Sequence, residues 1–157
     1  DRGISTLLNN WLVIKEHNPN MKLYITYGFK ISKQIGVDEK NIETNENYLN
    51  LLKDLDIKYL GHLSKDELEQ LYWHCQYWCL PLNNANSELF CFNAIKSQLC
   101  GCIPVVYKKG ALTETVSDYI DFDDFVKGNF NQRIISSTIP VYSWDDIVKK
   151  YWSKILL

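Results

Sequence analysis

The stretch from Ser87 to Val106 constrains the fold more than any other part of the chain, because it specifies a loop, a helix and a strand in one continuous run. A Gly-Cys turn separates the predicted helix from the apolar tetrapeptide Ile103–Val106, whose length and composition are typical of a buried strand. The helix is predicted from apolar residues at helical spacing, namely Ala94, Ile95, Leu99 and Cys100. Buried strands that follow helices in this way favour a parallel sheet with helices on both faces.

The rest of the chain alternates in the same manner. The sequence predicts helices over 4–17, 48–55 and 64–75 and after Ser143, and strands over 22–27, 57–60 and 77–82. Residues 29–44 have no clear period and are predicted as a loop, whereas Ser64 and Glu67 have the spacing of a capping box. We therefore predict a single α/β domain over residues 1–157, with a Rossmann-like parallel sheet.

Composition excludes several classes of protein. A content of 46% hydrophobic and 13% aromatic residues excludes a disordered chain, and no apolar run approaches the roughly 18 residues of a membrane span. The net charge of −2 gives no electrostatic footprint for nucleic acid. No signal peptide is recognisable. We expect a soluble, cytoplasmic protein, with neither a nucleic-acid partner nor membrane association indicated.

Five cysteines, at 75, 79, 91, 100 and 102, contain no Cys-x-x-Cys pair and no histidine at zinc-finger spacing. Most fall in predicted helices or strands, where cysteine behaves as a small buried hydrophobic residue. His74, Cys75 and Cys79 could be drawn as metal ligands, but the adjacent His74 and Cys75 do not easily face one point on a helix. We interpret the cysteines as reduced core residues and predict no metal site.

A parallel α/β fold also hosts dehydrogenases, response-regulator-like domains and flavin binders, so the residues must decide the function. The Gly-x-Gly-x-x-Gly turn of a dinucleotide site is absent, and so is the Gly-Lys-Ser/Thr end of a P-loop.

Three longer segments carry a family resemblance. They are DRGISTLLNNWLVIKEHNPNMKLYITYG at the start, IKYLGHLSKDELEQLYWHCQYWCLPL in the middle, and SELFCFNAIKSQLCGCIPVV with the YKKGALTETV that follows it. From Asp1 to about Val116 the chain resembles the nucleotide-sugar-binding half of retaining, family-4-type glycosyltransferases of the GT-B fold. The resemblance implies transfer of a hexose from a UDP- or GDP-linked sugar to an acceptor hydroxyl, without metal or further cofactor.

The same resemblance implies that the chain is one half of a GT-B enzyme. A glycan, lipid or protein acceptor would then bind an N-terminal domain that lies outside these 157 residues. The strand that opens the donor domain in this family would also precede Asp1, so we expect a fragment with little turnover of its own.

Carried over residue by residue, the resemblance implies two catalytic residues. Arg2 corresponds to a basic residue that grips the donor diphosphate, for which the planar guanidinium fork is suited. Glu88 corresponds to the carboxylate that accepts hydrogen bonds from the donor sugar. The main chain of the next four residues would offer N–H groups to the phosphates, the aromatic side chains being core packing by default; they are Leu89, Phe90, Cys91 and Phe92.

Lys96 departs from the family pattern. The family has a second glutamate there, eight positions after the first, which accepts hydrogen bonds from the ribose hydroxyls. A lysine only donates, so it would pair with Glu88 or contact the diphosphate instead. The departure keeps a second hypothesis open, namely a catalytically degenerate pseudo-transferase that acts as a binding or interaction module.

The remaining candidates lie at predicted strand ends. Gly110, Ala111 and Leu112 resemble the loop and short helix beside the donor, where glycine permits close approach of the main chain. Lys108 and Lys109 would either meet phosphate or be solvated. His62 follows Gly61 near the expected position of the nucleobase. A sugar-nucleotide epimerase half is a third hypothesis, disfavoured because the Glu88 region matches transferases better.

Overall fold

The computed structural model describes residues 3–26, 50, 55–82, 90–130 and 145. Within them helices alternate with parallel strands, which confirms the predicted α/β class. The elements in chain order are α1 (Ile4–His17), β1 (Leu23–Thr26), β2 (Ile57–Gly61), α2 (Lys65–His74), β3 (Tyr77–Leu80), α3 (Phe92–Leu99), β4 (Ile103–Val106), α4 (Leu112–Thr115), β5 (Ile120–Asp121) and α5 (Phe122–Val126).

The described strands form two small parallel sheets. One contains β1 and β2, and the other has the order β3-β4-β5. Side chains that alternate along β3 and β4 pack against different helices, as a sheet with period two requires. Tyr77, Cys79 and Val105 lie in the cluster of α1 and α5, whereas Trp78 and Val106 lie in the cluster of α3 and α4. The larger sheet therefore has helices on both faces, consistent with a Rossmann-like fold.

Helix α1 buries four residues in the core. Its buried residues recur at positions 7, 8, 11 and 14, which form one face of a helix. Trp11 is 2% exposed, and its indole Nε1–H donates to the carbonyl oxygen of Leu55 at 3.0 Å. Because the one polar atom of the ring has a hydrogen-bond partner, burial of the indole leaves no unsatisfied donor. Full burial of such a side chain contributes about 1.5–3 kcal/mol to the free energy of unfolding.

Most predicted elements agree with the structure. The bounds of α1 and β4 are as predicted, and α2 begins with the predicted capping box. Strand β1 begins one residue later than predicted and ends at Thr26, residue 27 being outside the described residues, whereas β2 extends one residue further than predicted. Strand β3 ends at Leu80 rather than residue 82, since Pro81 has no N–H for the ladder. The predicted helices over 48–55 and after Ser143 lie almost entirely outside the described residues. Strand β5 and helix α5 were not predicted from the sequence; the carboxylate of Asp121 caps the start of α5.

The predicted apolar face of α3 is wrong at Leu99, which is 48% exposed. The buried face consists of Ala94, Ser97 and Gln98 instead. Gln98 Nε2 donates to the carbonyl oxygens of Ala94 at 2.7 Å and Thr115 at 2.8 Å, and its Oε1 accepts from the N–H and hydroxyl of Ser117. A polar side chain takes the core position because every one of its hydrogen-bonding atoms is satisfied there.

We predict that Gly3→Ala destabilises the fold more than Gly101→Ala. Both glycines have a φ of 89°, where an added Cβ costs about 1–2 kcal/mol. A Cβ at Gly3 would lie 2.6 Å from the carbonyl oxygen of Pro81, whereas one at Gly101 would have no atom within 4 Å. Urea unfolding of both variants measures the difference, expected to be about 1–3 kcal/mol from the overpacking. Equal losses would contradict the close contact between α1 and Pro81.

We also predict that Gln98→Glu lowers the free energy of unfolding by about 2–4 kcal/mol at neutral pH. The substitution keeps the shape but replaces the donor to two carbonyl oxygens by an oxygen, and it buries a charge. Gln70→Glu, at an exposed position of α2, is the matched control and should change stability by less than about 0.5 kcal/mol. Similar small effects at both positions would show that the buried amide does not hold α3 to the following segment.

Candidate functional site

The carboxyl ends of β3 and β4 form the ligand edge of the larger sheet, where open parallel sheets bind their ligands. Helix α3 begins at this edge, because Cys91 packs with Leu80 and Val106, the last residues of the two strands. Helix α1 begins at the same edge, since Gly3 lies against the carbonyl of Pro81 directly after β3. Two helix N-termini thus lie beside the end of one strand.

These two helices differ from α2 in how they begin. Neither α1, with Gly3 at its N-cap, nor α3, with Cys91, has a side-chain cap or an acidic residue in its first turn. In α2 the Ser64 hydroxyl accepts from the N–H of Glu67, whose carboxylate accepts from the N–H of Ser64 at 2.8 Å. The positive end of the helix dipole is therefore compensated by side chains of the same helix in α2, but not in α1 or α3. A helix N-terminus without such a side chain is suited to bind an anion.

Phe90 and Phe92 lie on the surface at the start of α3. They are 48% and 64% exposed, and their rings pack edge to face with centroids 4.8 Å apart. The expectation that both side chains are core packing is therefore wrong. Cys91 between them is buried, because its side chain packs in the core cluster with Leu80 and Val106. The structure thus presents an aromatic pair beside the proposed phosphate position.

Lys96 is exposed on α3, one turn after Phe92. Its charge therefore lies on the same side of the helix as the aromatic pair. Arg2, Glu88 and Leu89 lie outside the described residues, so their roles, and the proximity of Lys96 to Glu88, stay predictions.

The loop after β4 places both of its lysines over aromatic rings. Lys108 Nζ lies 4.9 Å from the ring centroid of Tyr119, and Lys109 Nζ lies 5.7 Å from that of Tyr107. Such cation–π contacts orient an ammonium group without neutralising it. The two lysines are therefore held at the same edge of the sheet as the start of α3, and neither is an unconstrained surface residue.

Tyr107 is itself fixed by α5. Its hydroxyl donates to Oδ1 of Asp123, and burial together with this carboxylate raises the pKa of the phenol far above its usual value. The hydroxyl therefore stays protonated and acts as a donor, so it supports Lys109 and is not a base.

The turn at Gly110–Leu112, which resembles the donor loop, combines a main-chain turn with a buried side chain. Gly110 has a φ of 55°, and Ala111 is the N-cap of α4, so the main chain turns here as expected. Leu112 is 1% exposed and belongs to the core cluster of α3 and α4. Its side chain is therefore structural, and contact with a ligand would be through the main chain of Gly110 and Ala111.

His62 follows Gly61 at the carboxyl end of β2 and is exposed. It follows a strand of the two-stranded sheet, whereas the start of α3 and the lysine pair lie at the edge of the three-stranded sheet. Its contact with the nucleobase remains a prediction.

Cys91 and Cys102 are buried, as predicted for core residues, whereas Cys75, Cys79 and Cys100 are partly buried. The thiol of Cys102 donates to the carbonyl of Tyr72 at 3.1 Å, and burial raises its pKa to about 12. Burial also raises the pKa of Cys75, Cys79 and Cys100. These thiols stay protonated at neutral pH and are poor nucleophiles. Within the described residues, no three His, Cys, Asp or Glu side chains are grouped so that they could hold a metal ion.

The described helices include none with the length and apolar character needed to cross a bilayer. No protein family, curated protein or solved structure matches the chain.

The capping box of α2 predicts a specific pH dependence. Hydrogen bonds from Ser64 hold the pKa of Glu67 below its usual value, with a further contribution from His62. A lowered pKa in the folded state contributes stability above the usual glutamate pKa, and this contribution is lost as the pH falls through the lowered value. We expect Glu67→Gln to flatten the acid limb of stability against pH, measured by urea unfolding between pH 7 and 3.

Glu69→Gln on the same helix is the control, because Glu69 is outside the capping box. An equal flattening by both substitutions would assign the effect to net charge and not to the cap.

Proposed function

We propose that the chain is the donor-binding domain of a retaining hexosyltransferase that uses a nucleoside-diphosphate sugar. The observation that carries the proposal is the pair of helix N-termini, α1 and α3, that begin beside the carboxyl end of β3 without side-chain caps or acidic residues. This arrangement favours a ligand with two or more negative charges, and a diphosphate fits both helix ends at once.

The sequence around these helix ends supplies the rest of the proposed phosphate site. Arg2 directly precedes Gly3, the N-cap of α1, in the sequence. Its guanidinium is proposed to donate hydrogen bonds to the diphosphate. Each helix end contributes about 0.3–1 kcal/mol to an exposed anion and up to about 2 kcal/mol in a partly buried site. Lys108 and Lys109 lie on the loop after β4, at the same edge of the sheet, where their charges add positive electrostatic potential.

The donor sugar and nucleoside are proposed to lie on either side of the diphosphate. Glu88 would accept hydrogen bonds from the sugar hydroxyls, and the exposed rings of Phe90 and Phe92 offer apolar faces to the ligand. The base would be that of a UDP- or GDP-linked donor, near His62.

In this proposal the domain lowers the barrier by stabilising the leaving diphosphate. Helix ends, main-chain amides and Arg2 would neutralise the charge that develops as the glycosidic bond to the donor breaks, and the anomeric configuration would be retained. A glycan, lipid or protein acceptor would come from a second domain, and the reaction would take place in the cytoplasm.

A second function is favoured by one surface of α3. Phe92, Lys96 and Leu99 are all exposed and recur at helical spacing, which places two apolar side chains and a charge on one side of the helix. Such a surface is typical of protein association, so a pseudo-transferase that acts as an interaction module is the alternative.

Calorimetry with UDP, GDP and ADP, their hexose conjugates and the free nucleosides tests the proposal. We expect at least one diphosphate series to bind and its nucleoside to bind much more weakly. Arg2→Ala should weaken the diphosphate more than the nucleoside, and Glu88→Gln should weaken the sugar conjugate while leaving the bare diphosphate nearly unchanged. Failure of every diphosphate to bind would contradict the donor-site proposal and leave the interaction module.

We predict that Lys96→Glu strengthens binding of the sugar nucleotide, because a carboxylate can accept from the ribose hydroxyls. The gain is expected to be about 1.5–3 kcal/mol, up to about a hundredfold in affinity, less any repulsion from the diphosphate. Lys127→Glu, after the end of α5, is the control for the same change in net charge. Weaker binding by Lys96→Glu, with a flatter dependence on salt, would show that the lysine itself binds phosphate.

A further inference from the structure

Helices α2 and α3 each carry an exposed charge and an exposed apolar side chain on one side. In α2 these are Glu69 and Trp73, four residues apart, and we call this pair the α2 stripe. In α3 they are Lys96 and Leu99, three residues apart, and we call this pair the α3 stripe. Residues at either spacing are neighbours on a helix surface. Trp73 is 61% exposed, so the α2 stripe presents most of a large ring to solvent.

The two helices end side by side at the amino edge of the larger sheet. Helix α2 leads into β3 and α3 leads into β4, and these two strands are paired in parallel. The short connections are bonded to each other, because the thiol of Cys102 donates to the carbonyl oxygen of Cys75 at 3.3 Å. Trp73 and Leu99 each belong to the last two residues of their helix, so both lie at this end.

The α2 stripe borders the seam along which α2 and α3 pack together. Burial, and after it the carboxylate of Glu69, raise the pKa of the Cys100 thiol at the C-cap of α3. A carboxylate has this effect only on a nearby group, so Glu69 lies on the side of α2 that faces α3. Cys100 follows Lys96 by four residues, which places the α3 stripe on the side towards α2.

The two stripes have complementary charges. Lys96 is the only charged residue of α3, whereas Asp66, Glu67 and Glu69 outnumber the one lysine of α2. Among the residues that the structure describes, neither Glu69 nor Lys96 takes part in an ion pair; the pair found there joins Lys15 to Asp56 at 2.9 Å. The acidic stripe and the basic stripe of one molecule therefore each lack an ionic partner within it, in the described part.

We propose that α2 and α3 form an interface with a second copy of this chain, in which the α2 stripe of each copy packs on the α3 stripe of the other. The two-fold axis runs along the seam, parallel to both helices. Such an axis keeps each residue at its own height, so Glu69 meets Lys96 of the second copy and Trp73 meets Leu99. Both contacts occur twice, as in every interface of this symmetry.

The arrangement of the stripes is the reason for choosing a second copy as the partner. A partner of α3 needs an acidic residue and, one turn later, a large apolar residue, whereas a partner of α2 needs a basic residue followed by an apolar one. The chain itself offers both surfaces next to each other and at matching heights. A two-fold interface requires this kind of self-complementary patch.

The size of the patch predicts a weak dimer. Helices of 10 and 8 residues are about 15 and 12 Å long, and two of them side by side are about 20 Å wide. The face is thus smaller than the roughly 800 Å² per partner of a stable interface. The proposal is independent of the donor site, since Trp73 and Leu99 lie at the opposite end of the helices from the ligand edge.

Sedimentation equilibrium of the 157-residue chain without nucleotide, from about 10 μM to 1 mM, tests the interface over the range of a weak complex. The charge variants are Glu69→Lys, Lys96→Glu and the two combined, with Glu16→Lys on the exposed side of α1 as the matched control. The apolar variants are Trp73→Gln and Leu99→Gln, and Leu12→Gln is their control because Leu12 is 54% exposed on α1. Circular dichroism of dilute samples establishes that each variant is folded.

We expect a reversible monomer–dimer equilibrium. Each single charge reversal should raise Kd by about tenfold, because two attractive pairs become repulsive, and the combined reversal should restore Kd to within about threefold. Trp73→Gln and Leu99→Gln should also raise Kd, whereas Glu16→Lys and Leu12→Gln should leave it nearly unchanged. Restoration by the combined variant distinguishes a direct pair from a general effect of charge.

Three results would overturn the proposal. A chain that stays monomeric at 1 mM has no such interface. A dimer that the four single substitutions in the stripes leave unchanged is formed by another surface. A dimer that both single reversals weaken and the combined reversal does not restore lacks the pairing of Glu69 with Lys96 that defines the arrangement.

Discussion

The packing of α1 beneath both sheets is the interaction on which the rest of the described structure depends. Its buried face contacts β1 and β2 on one side and β3 and β4 on the other, while the indole of Trp11 bonds the main chain at Leu55. Within the described residues no ladder joins the two sheets, and both of them pack against this helix. The same packing brings Gly3 against Pro81 and thereby fixes where α1 begins.

This position of α1 connects the core to the candidate site. Because α1 and α3 both begin beside the end of β3, the buried contacts that hold these helices also bring the N-termini of two helices, neither of which has a side-chain cap, to one region. Gln98 contributes on the other face, where its amide ties α3 to the segment after α4. A ligand edge of this kind needs rigid support, since an anion gains from helix ends only when their geometry is fixed.

Gly3 also shows why the fold and the proposed site share residues. Its left-handed conformation and its contact with Pro81 exclude a side chain, and the same contact places the start of α1 beside the carboxyl end of β3. In contrast, α2 closes its own N-terminus with Ser64 and Glu67. Whether a helix carries its own side-chain cap is decided locally in the sequence, whereas the surroundings of the helix end are decided by the tertiary structure.

The sequence by itself determined the elements whose signals are local. The bounds of α1, the capping box of α2 and the apolar strand Ile103–Val106 follow from periodicity, caps and proline, which act within a few residues. Tertiary structure decided the exposure of Phe90, Phe92 and Leu99, the burial of Gln98, and the division of the strands into two sheets. These features depend on residues that are distant in sequence, as the burial of Gln98 depends on its hydrogen bonds with Thr115 and Ser117. No local pattern specifies which face of a helix packs against the core or which buried polar group has hydrogen-bond partners there.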